Sequence, residues 1–263
     1  MNSTEIIILI ISGVLVGFIN TLAGGGSIIS LSVLILLGLP ANIANGTNRI
    51  AVGLQNVVGV SSFSQQKVMP WKKGLLLSIP AIAGSLIGAK IAADINENVF
   101  RIAIGVIMLI MMAFILFKPQ QYIYGKKEIQ EKPLNWKTYI IFFFIGIYGG
   151  FIQMGVGYFL LAGIVLGAGY DLIKANAIKV LIVLLYTPFA MLIFFINNQI
   201  NWKYGLTLAI GNMAGAWIAS RMAVKKGVNF VKWVIIVVII ITTAQMFGLY
   251  DFKSIIQSLI QPK

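Results

Sequence analysis

The chain contains no cysteine and no histidine. The first absence excludes disulfides, thiolate metal sites and cysteine nucleophiles. The second removes imidazole ligands and every Ser-His-Asp arrangement. Acids are scarce as well. The seven are Glu5, Asp94, Glu97, Glu128, Glu131, Asp171 and Asp251, and all sit at termini, in loops or at the ends of apolar segments. With no carboxylate at the centre of an apolar run, a carboxylate proton relay and a metal-cation site are both disfavoured. No cofactor and no metal is implied. Charged residues of both signs make up only 10%, where a soluble domain carries roughly 25%. A soluble enzyme, a disordered chain and a nucleic-acid binder are thereby excluded. The usual acids, bases and nucleophiles of catalysis are missing too, so the chain is not read as an enzyme. The lack of cysteine leaves the redox compartment open.

What the chain does have is apolar bulk: 59% of its 263 residues are hydrophobic. This is the composition of an all-α polytopic integral membrane protein, with the lipid bilayer as its partner. The 20 Lys and Arg against seven acids give a net charge of +13. In such a composition the excess is an orientation signal, not a nucleic-acid surface. A span needs about 20 apolar residues. The candidate segments are Ile6–Ala23, Ile28–Leu39, Ala41–Phe63, Gly74–Ala93, Val99–Phe117, Tyr139–Met154, Tyr158–Ala168, Leu172–Ile196, Gly205–Ala223 and Phe230–Gly248. Residues 1–5 carry no positive charge and no cleavage motif follows, so the first segment reads as a retained span. Ile28–Leu39 and Tyr158–Ala168 are too short to cross alone. Each follows a glycine-rich break: Gly24-Gly25-Gly26 and Gly155-Val156-Gly157.

The chain repeats itself. An offset of 131 residues carries Gly24 onto Gly155, Gly26 onto Gly157 and Gly38 onto Gly169. It also carries Ala44-Asn45 onto Ala175-Asn176, Trp71-Lys72 onto Trp202-Lys203 and Gly84 onto Gly215. Ahead of the break, Gly17-Phe18-Ile19-Asn20 resembles Gly150-Phe151-Ile152-Gln153, two residues out of phase. The expected organisation is a first repeat over 1–117, a cytoplasmic linker over 118–137 and a second repeat over 138–263. Charge fixes the relative orientation. The loop with Lys67, Lys72 and Lys73, the linker, and the stretch with Arg221, Lys225, Lys226 and Lys232 are basic. Their counterparts around Asn197–Asn201 and Asp94–Glu97 are neutral or balanced. Placing basic loops inside puts corresponding loops on opposite sides. The repeats are therefore expected to be inverted, each with Gly-broken helices or a re-entrant hairpin.

Irregular backbone survives at membrane depth only where it lines a protein cavity, because unpaired N–H and C=O groups are costly in hydrocarbon. Matched breaks in inverted repeats point to a secondary transporter with its site at the repeat interface. A break also frees N–H groups at the start of the next half-helix, here Ser27-Ile28 and Tyr158-Phe159, and these favour an anion. Gly84/Gly88 and Gly211/Gly215, at i, i+4 spacing in continuous segments, read instead as helix-packing notches, and Gly155/Gly157 admit that reading as well as a break. Each half offers a carboxamide just before its break, Asn20 or Gln153. Each offers Asn plus a cation after it: Asn45, Asn48 and Arg49, or Asn176 and Lys179. Arg49 and Lys179 have two readings: a cation in a functional site, or a long side chain snorkelling to the headgroups. The candidate site is thus Asn20, Gly24, Gly25, Gly26, Ser27, Asn45, Asn48, Arg49, Gln153, Gly155, Gly157, Asn176 and Lys179. The amides would hydrogen-bond a small anionic substrate, and the cations would neutralise it. Asp171 reads as a helix N-cap for Leu172 onward. Trp71 and Trp202 read as interfacial anchors.

The run Gly17-Phe18-Ile19-Asn20-Thr21-Leu22-Ala23-Gly24-Gly25-Gly26-Ser27, followed by Leu36-Leu37-Gly38-Leu39-Pro40 and Ala44-Asn45-Gly46-Thr47-Asn48, resembles the first signature of the TauE/SafE sulfite-exporter family (TSUP). The run Gly149-Gly150-Phe151-Ile152-Gln153-Met154-Gly155-Val156-Gly157, with Ala175-Asn176, resembles the second. Ala177-Ile178-Lys179 departs from it, since the family more often has small and hydroxyl residues there. The resemblance implies a multi-pass bacterial inner-membrane transporter for sulfur-containing anions such as sulfite or organosulfonates, working by alternating access. The rivals are an anion channel and a membrane assembly subunit, with a membrane enzyme behind both. The sequence leaves a homo-oligomer, the direction of transport and the coupling ion open.

Overall fold

A computed structural model describes residues 1–100, 102–103, 106 and 133–246. Most of the expected segment Val99–Phe117, the linker up to residue 132 with Glu128 and Glu131, and the chain after Met246 with Asp251 lie outside the described residues.

All regular structure among the described residues is helical. Helix α1 spans Ser3–Leu22 and opens with a capping box, in which Asn2 and Glu5 satisfy each other's backbone N–H. Helix α2 spans Ser27–Leu36 and stops before Gly38, whose φ of 92° sets the left-handed exit. Helices α3 (Ala41–Gln65) and α4 (Trp71–Asp94) each follow a proline, Pro40 and Pro70. Residues 97–100, 102–103 and 106 are helical as well. The chain re-enters at α5 (Trp136–Phe151), N-capped by Asn135. Helix α6 (Val156–Ala162) loosens into a π-helical stretch over Gly163–Ala168. Helix α7 (Leu172–Ile196) is N-capped by Asp171, whose carboxylate accepts from the N–H groups of Ile173 and Lys174. Helix α8 covers Trp202–Met246 and breaks at Gly227, so the two expected segments there meet at a kink.

Three of these helices, α1, α4 and α7, are long and apolar enough to cross a membrane. Their outward faces carry bare aliphatic side chains such as Ile7, Ile11, Ile79 and Leu192, as lipid-facing surfaces do. Trp71 and Trp202 are half-exposed at the first turns of α4 and α8.

Packing runs crosswise along the chain. Helix α1 packs chiefly on α8, and α5 packs chiefly on α4. Both pairs are knitted by small residues. A Cβ at Gly13 or Gly17 would collide with the α8 backbone at Leu208 or Asn212. At Gly146 or Gly150 it would collide with α4 at Ala81 or Ser85. The Gly84, Gly88, Gly211 and Gly215 notches meet the same partners from the other side.

The loops collect at two ends. At one end Arg221 bonds Gln65, Gln66 bonds the Ser220 carbonyl, and the Lys73 ammonium lies 5.0 Å from the Tyr170 ring centre. At the other, Gln199 bonds the Ala93 carbonyl, the Asn201 N–H reaches Thr47, and Tyr204 reaches Glu5. The basic loops around Lys67–Lys73 and Arg221 therefore share one end. The Asp94–Glu97 and Asn197–Asn201 loops share the other. Left-handed backbone also recurs at the sequence offset: φ is 88° and 69° at Gly24 and Gly155, 92° and 74° at Gly38 and Gly169, and 58° and 54° at Lys67 and Asn198.

Candidate functional site

Two helices are cut in mid-course. After α1 the chain turns through Ala23–Gly26 and resumes as α2; after α5 it turns through Ile152–Gly155 and resumes as α6. The two cuts touch. A Cβ on Gly24 would overlap the Cα of Gly157, and one on Gly157 would overlap that of Gly24. No other residue allows that approach, and Gly24 also needs its positive φ. Just before Gly155, Gln153 takes φ 58°, a costly conformation for a residue with a Cβ.

Beside this crossing lies a narrow cavity of about 20 Å³, room for roughly one water. It is lined by Asn20, Gly24, Ser27, Val52, Gln55, Asn56, Gln153, Val156, Gly157, Lys179 and Val183. The sequence-derived residues Asn20, Gly24, Ser27, Gln153, Gly157 and Lys179 are thus brought together. Asn20 bridges the first cut: its Oδ1 accepts the Ser27 N–H at 3.1 Å, while its Nδ2 donates to Ser27 Oγ and Gln55 Oε1, each at 3.3 Å. Gln55 Oε1 also accepts from Asn212 Nδ2 of α8 at 3.1 Å. Gln153 Nε2 points to Thr187 Oγ1 at 3.5 Å, and its buried Oε1 has no partner among the described residues.

Lys179 is the cavity's cation and is 2% exposed. Its ammonium donates to the Asn20 carbonyl at 2.8 Å, the Thr21 carbonyl at 2.8 Å and Asn176 Oδ1 at 2.6 Å. Asn176 therefore contributes through Lys179 and does not line the cavity. Arg49, fully buried, faces elsewhere. Its Nη1 donates to the Gly149 carbonyl at 3.1 Å and its Nη2 to the Gly150 carbonyl at 2.5 Å. Its guanidinium stacks 4.7 Å from the Phe194 ring centre. Asn45 Nδ2 takes the next carbonyl, Phe151, at 2.8 Å. Both Asn48 amide atoms are buried without a partner among the described residues. Arg49, Asn45, Asn48, Gly25, Gly26 and Gly155 do not line the cavity. Snorkelling is excluded for both Arg49 and Lys179, since each bonds deep backbone carbonyls.

Two features depart from the sequence-based picture. The half-helix amides expected to face an anion are already engaged: Ser27 N–H by Asn20 Oδ1, Ile28 N–H by the Gly25 carbonyl and Tyr158 N–H by the Gly155 carbonyl. The second half-helix also starts at Val156, before Tyr158. The polar side chains that line the cavity are those of Asn20, Ser27, Gln55, Asn56, Gln153 and Lys179. Gln55, Asn56, Asn212 and Thr187 were not among the candidates. The signal available for Gln55 and Asn56 was a polar pair in the apolar middle of α3. Among the described residues no Asp or Glu is buried, so neither buried cation has a carboxylate beside it.

The model of the family described as sulfite exporter TauE/SafE matches residues 9–246. A Haemophilus influenzae protein named "Probable membrane transporter protein" is 26% identical, covering 93% of this chain and 94% of its own length. "Probable membrane transporter protein YfcA" of Escherichia coli K12 is 25% identical over 93% of this chain and 89% of its own length. "Probable membrane transporter protein YunE" of Bacillus subtilis is 25% identical over 88% of this chain and 95% of its own length. No solved structure matches.

Proposed function

The chain belongs to the sulfite exporter TauE/SafE family of membrane transporters, and from that premise we propose that it is a multi-pass secondary transporter of small anions. Sulfur oxyanions such as sulfite or organosulfonates are the first candidates, carried by alternating access between two inverted repeats. The observation that carries the reading is the cavity beside the Gly24–Gly157 crossing, with its buried ammonium and no buried acid. Lys179 is bonded to carbonyl and amide oxygens, with no buried acid among the described residues, and this leaves positive charge in a low-dielectric interior that an anion in the cavity offsets. Recognition is by Asn20, Gln55 and Gln153 side chains around Lys179. The cavity as it stands is smaller than such an anion, so it must widen to load.

The crosswise packing and the three recurring left-handed positions support the inverted repeat. The end carrying Lys67, Lys72, Lys73, Lys225 and Lys226 is the cytoplasmic one in this reading, in a bacterial inner membrane.

The test is flux in liposomes reconstituted with the purified chain, using labelled sulfite, a short-chain sulfonate, sulfate and a neutral solute. Saturable flux of a sulfur oxyanion, accelerated by the same anion on the far side, is the expected result. Unsaturating conduction would indicate a channel. Silence towards every oxyanion would remove the anion reading and leave the architecture intact.

A further inference from the structure

Cutting a helix inside a membrane leaves its last carbonyls without intrahelical partners, at the negative end of the helix dipole. In α1, the Ile19 carbonyl is taken by the N–H groups of Ala23 and Gly24. The next two, Asn20 and Thr21, are taken by Lys179 of α7. In α5, the Tyr148 carbonyl is taken by the Ile152 N–H. The next three, Gly149, Gly150 and Phe151, are taken by Arg49 and Asn45 of α3. Each cut end is thus completed by a cation and an asparagine from a helix in the other half of the chain. Asn45 bonds its carbonyl directly, whereas Asn176 accepts from the lysine.

We propose that Lys179 and Arg49 are positioning residues that clamp the cut ends of α1 and α5 across the two halves, and that only the Lys179 clamp is open to release by a solute. The difference follows from donor count. An ammonium has three N–H groups, and Lys179 already has three acceptors around it. Since Lys179 also lines the cavity, a solute that accepts a hydrogen bond from it displaces one of the three, and displacing the Asn20 or Thr21 carbonyl loosens the end of α1. Arg49 does not line the cavity. Its planar fork spans two successive carbonyls, and Asn45 holds the third. That grip fixes the chain immediately ahead of Gln153 and keeps this residue in its left-handed turn, with its side chain on the cavity wall. Solute-driven release rests on the anion reading above; the clamps themselves do not.

The chain has no native thiol, so single cysteines report each clamp separately. Ala23 and Ile152 are the C-cap residues of the two cut helices, and both are fully buried. Ala23→Cys and Ile152→Cys proteins would be reacted with a small neutral methanethiosulfonate, alone and combined with Lys179→Met or Arg49→Met. Lys179→Met is expected to speed labelling at position 23 by roughly tenfold or more while leaving 152 slow, because bonds to a charged donor are the strong class. Arg49→Met is expected to do the reverse, and Arg49→Lys to restore most of the protection at 152. Equal acceleration at both sites means general loosening and overturns the proposal, as does no acceleration at either. If a methionine variant does not fold, Lys179→Gln and Arg49→Gln are read the same way. In the otherwise wild-type Ala23→Cys protein, acceleration by a short-chain sulfonate or by sulfate, neither of which reacts with the reagent, supports solute-driven release. If the variants behave as expected and neither a sulfonate nor sulfate accelerates labelling, the clamps stand and the anion-driven release fails.

Discussion

Lys179 and Arg49 occupy comparable places in the two halves, each about two turns into the second helix after a cut, α7 or α3, yet they face different surroundings. Lys179 lies on the wall of the cavity, whereas Arg49 is walled off against the end of α5 and the Phe194 ring. The first is a point charge on a flexible stem that trades one acceptor for another. The second is a rigid fork matched to two neighbouring carbonyls. An ionisable side chain at membrane depth is therefore not by itself a solute contact. Its donors must first be counted against the backbone it serves.

That comparison is open to attack at several points. The heaviest blow is Gly24→Val, which removes the crossing on which both clamps depend. A β-branched residue at positive φ, overlapping Gly157, should cost about 3–6 kcal/mol, read as loss of monodisperse protein after extraction. Next come the cations themselves. Arg49→Met should lower unfolding stability by about 3 kcal/mol, two bonds to a charged group, measured by thermal denaturation, while surviving protein keeps its apparent affinity for substrate. Lys179→Met should instead cut flux about 100-fold through weakened transition-state and substrate binding, with the larger change in KM. A result in which both variants alter KM alike would erase the distinction. Milder is Asn45→Ala, which orphans one carbonyl and should cost about 1 kcal/mol; Asn176→Ala should raise KM because its oxygen steadies Lys179. Smallest is Gly38→Ala, at about 1 kcal/mol for a positive φ alone, since a Cβ there meets open space.

Much of this architecture was legible in the chain. Three successive glycines cannot sustain a helix, and the cut after Leu22 falls on them. The i, i+4 glycines are the notches where α1 meets α8 and α4 meets α5. Asp171 caps α7, as its position before an apolar run required. What was not legible depended on which helices touch. Arg49 and Lys179 are alike as residue types, and only the packing of α3 against the end of α5 separates them. The engaged amides of Ser27 and Tyr158 were hidden for a local reason: the turn at each cut brings an acceptor onto them, the Asn20 side chain or the Gly155 carbonyl. The π-helical stretch over Gly163–Ala168 had no periodicity signal, because one extra residue per turn is lost in an unbroken apolar run.

The crosswise pairing of α1 with α8 has a consequence for how the protein is made. Helix α1 is complete at Leu22, but α8 does not begin until Trp202. At ribosomal rates of about 5–20 residues per second, α1 spends on the order of 10–40 s without its main partner. During that interval its glycine face, with Asn20 near its foot, sits in lipid or against the insertion machinery. Biogenesis must therefore shelter an unfinished N-terminal half until the C-terminal half arrives to close it.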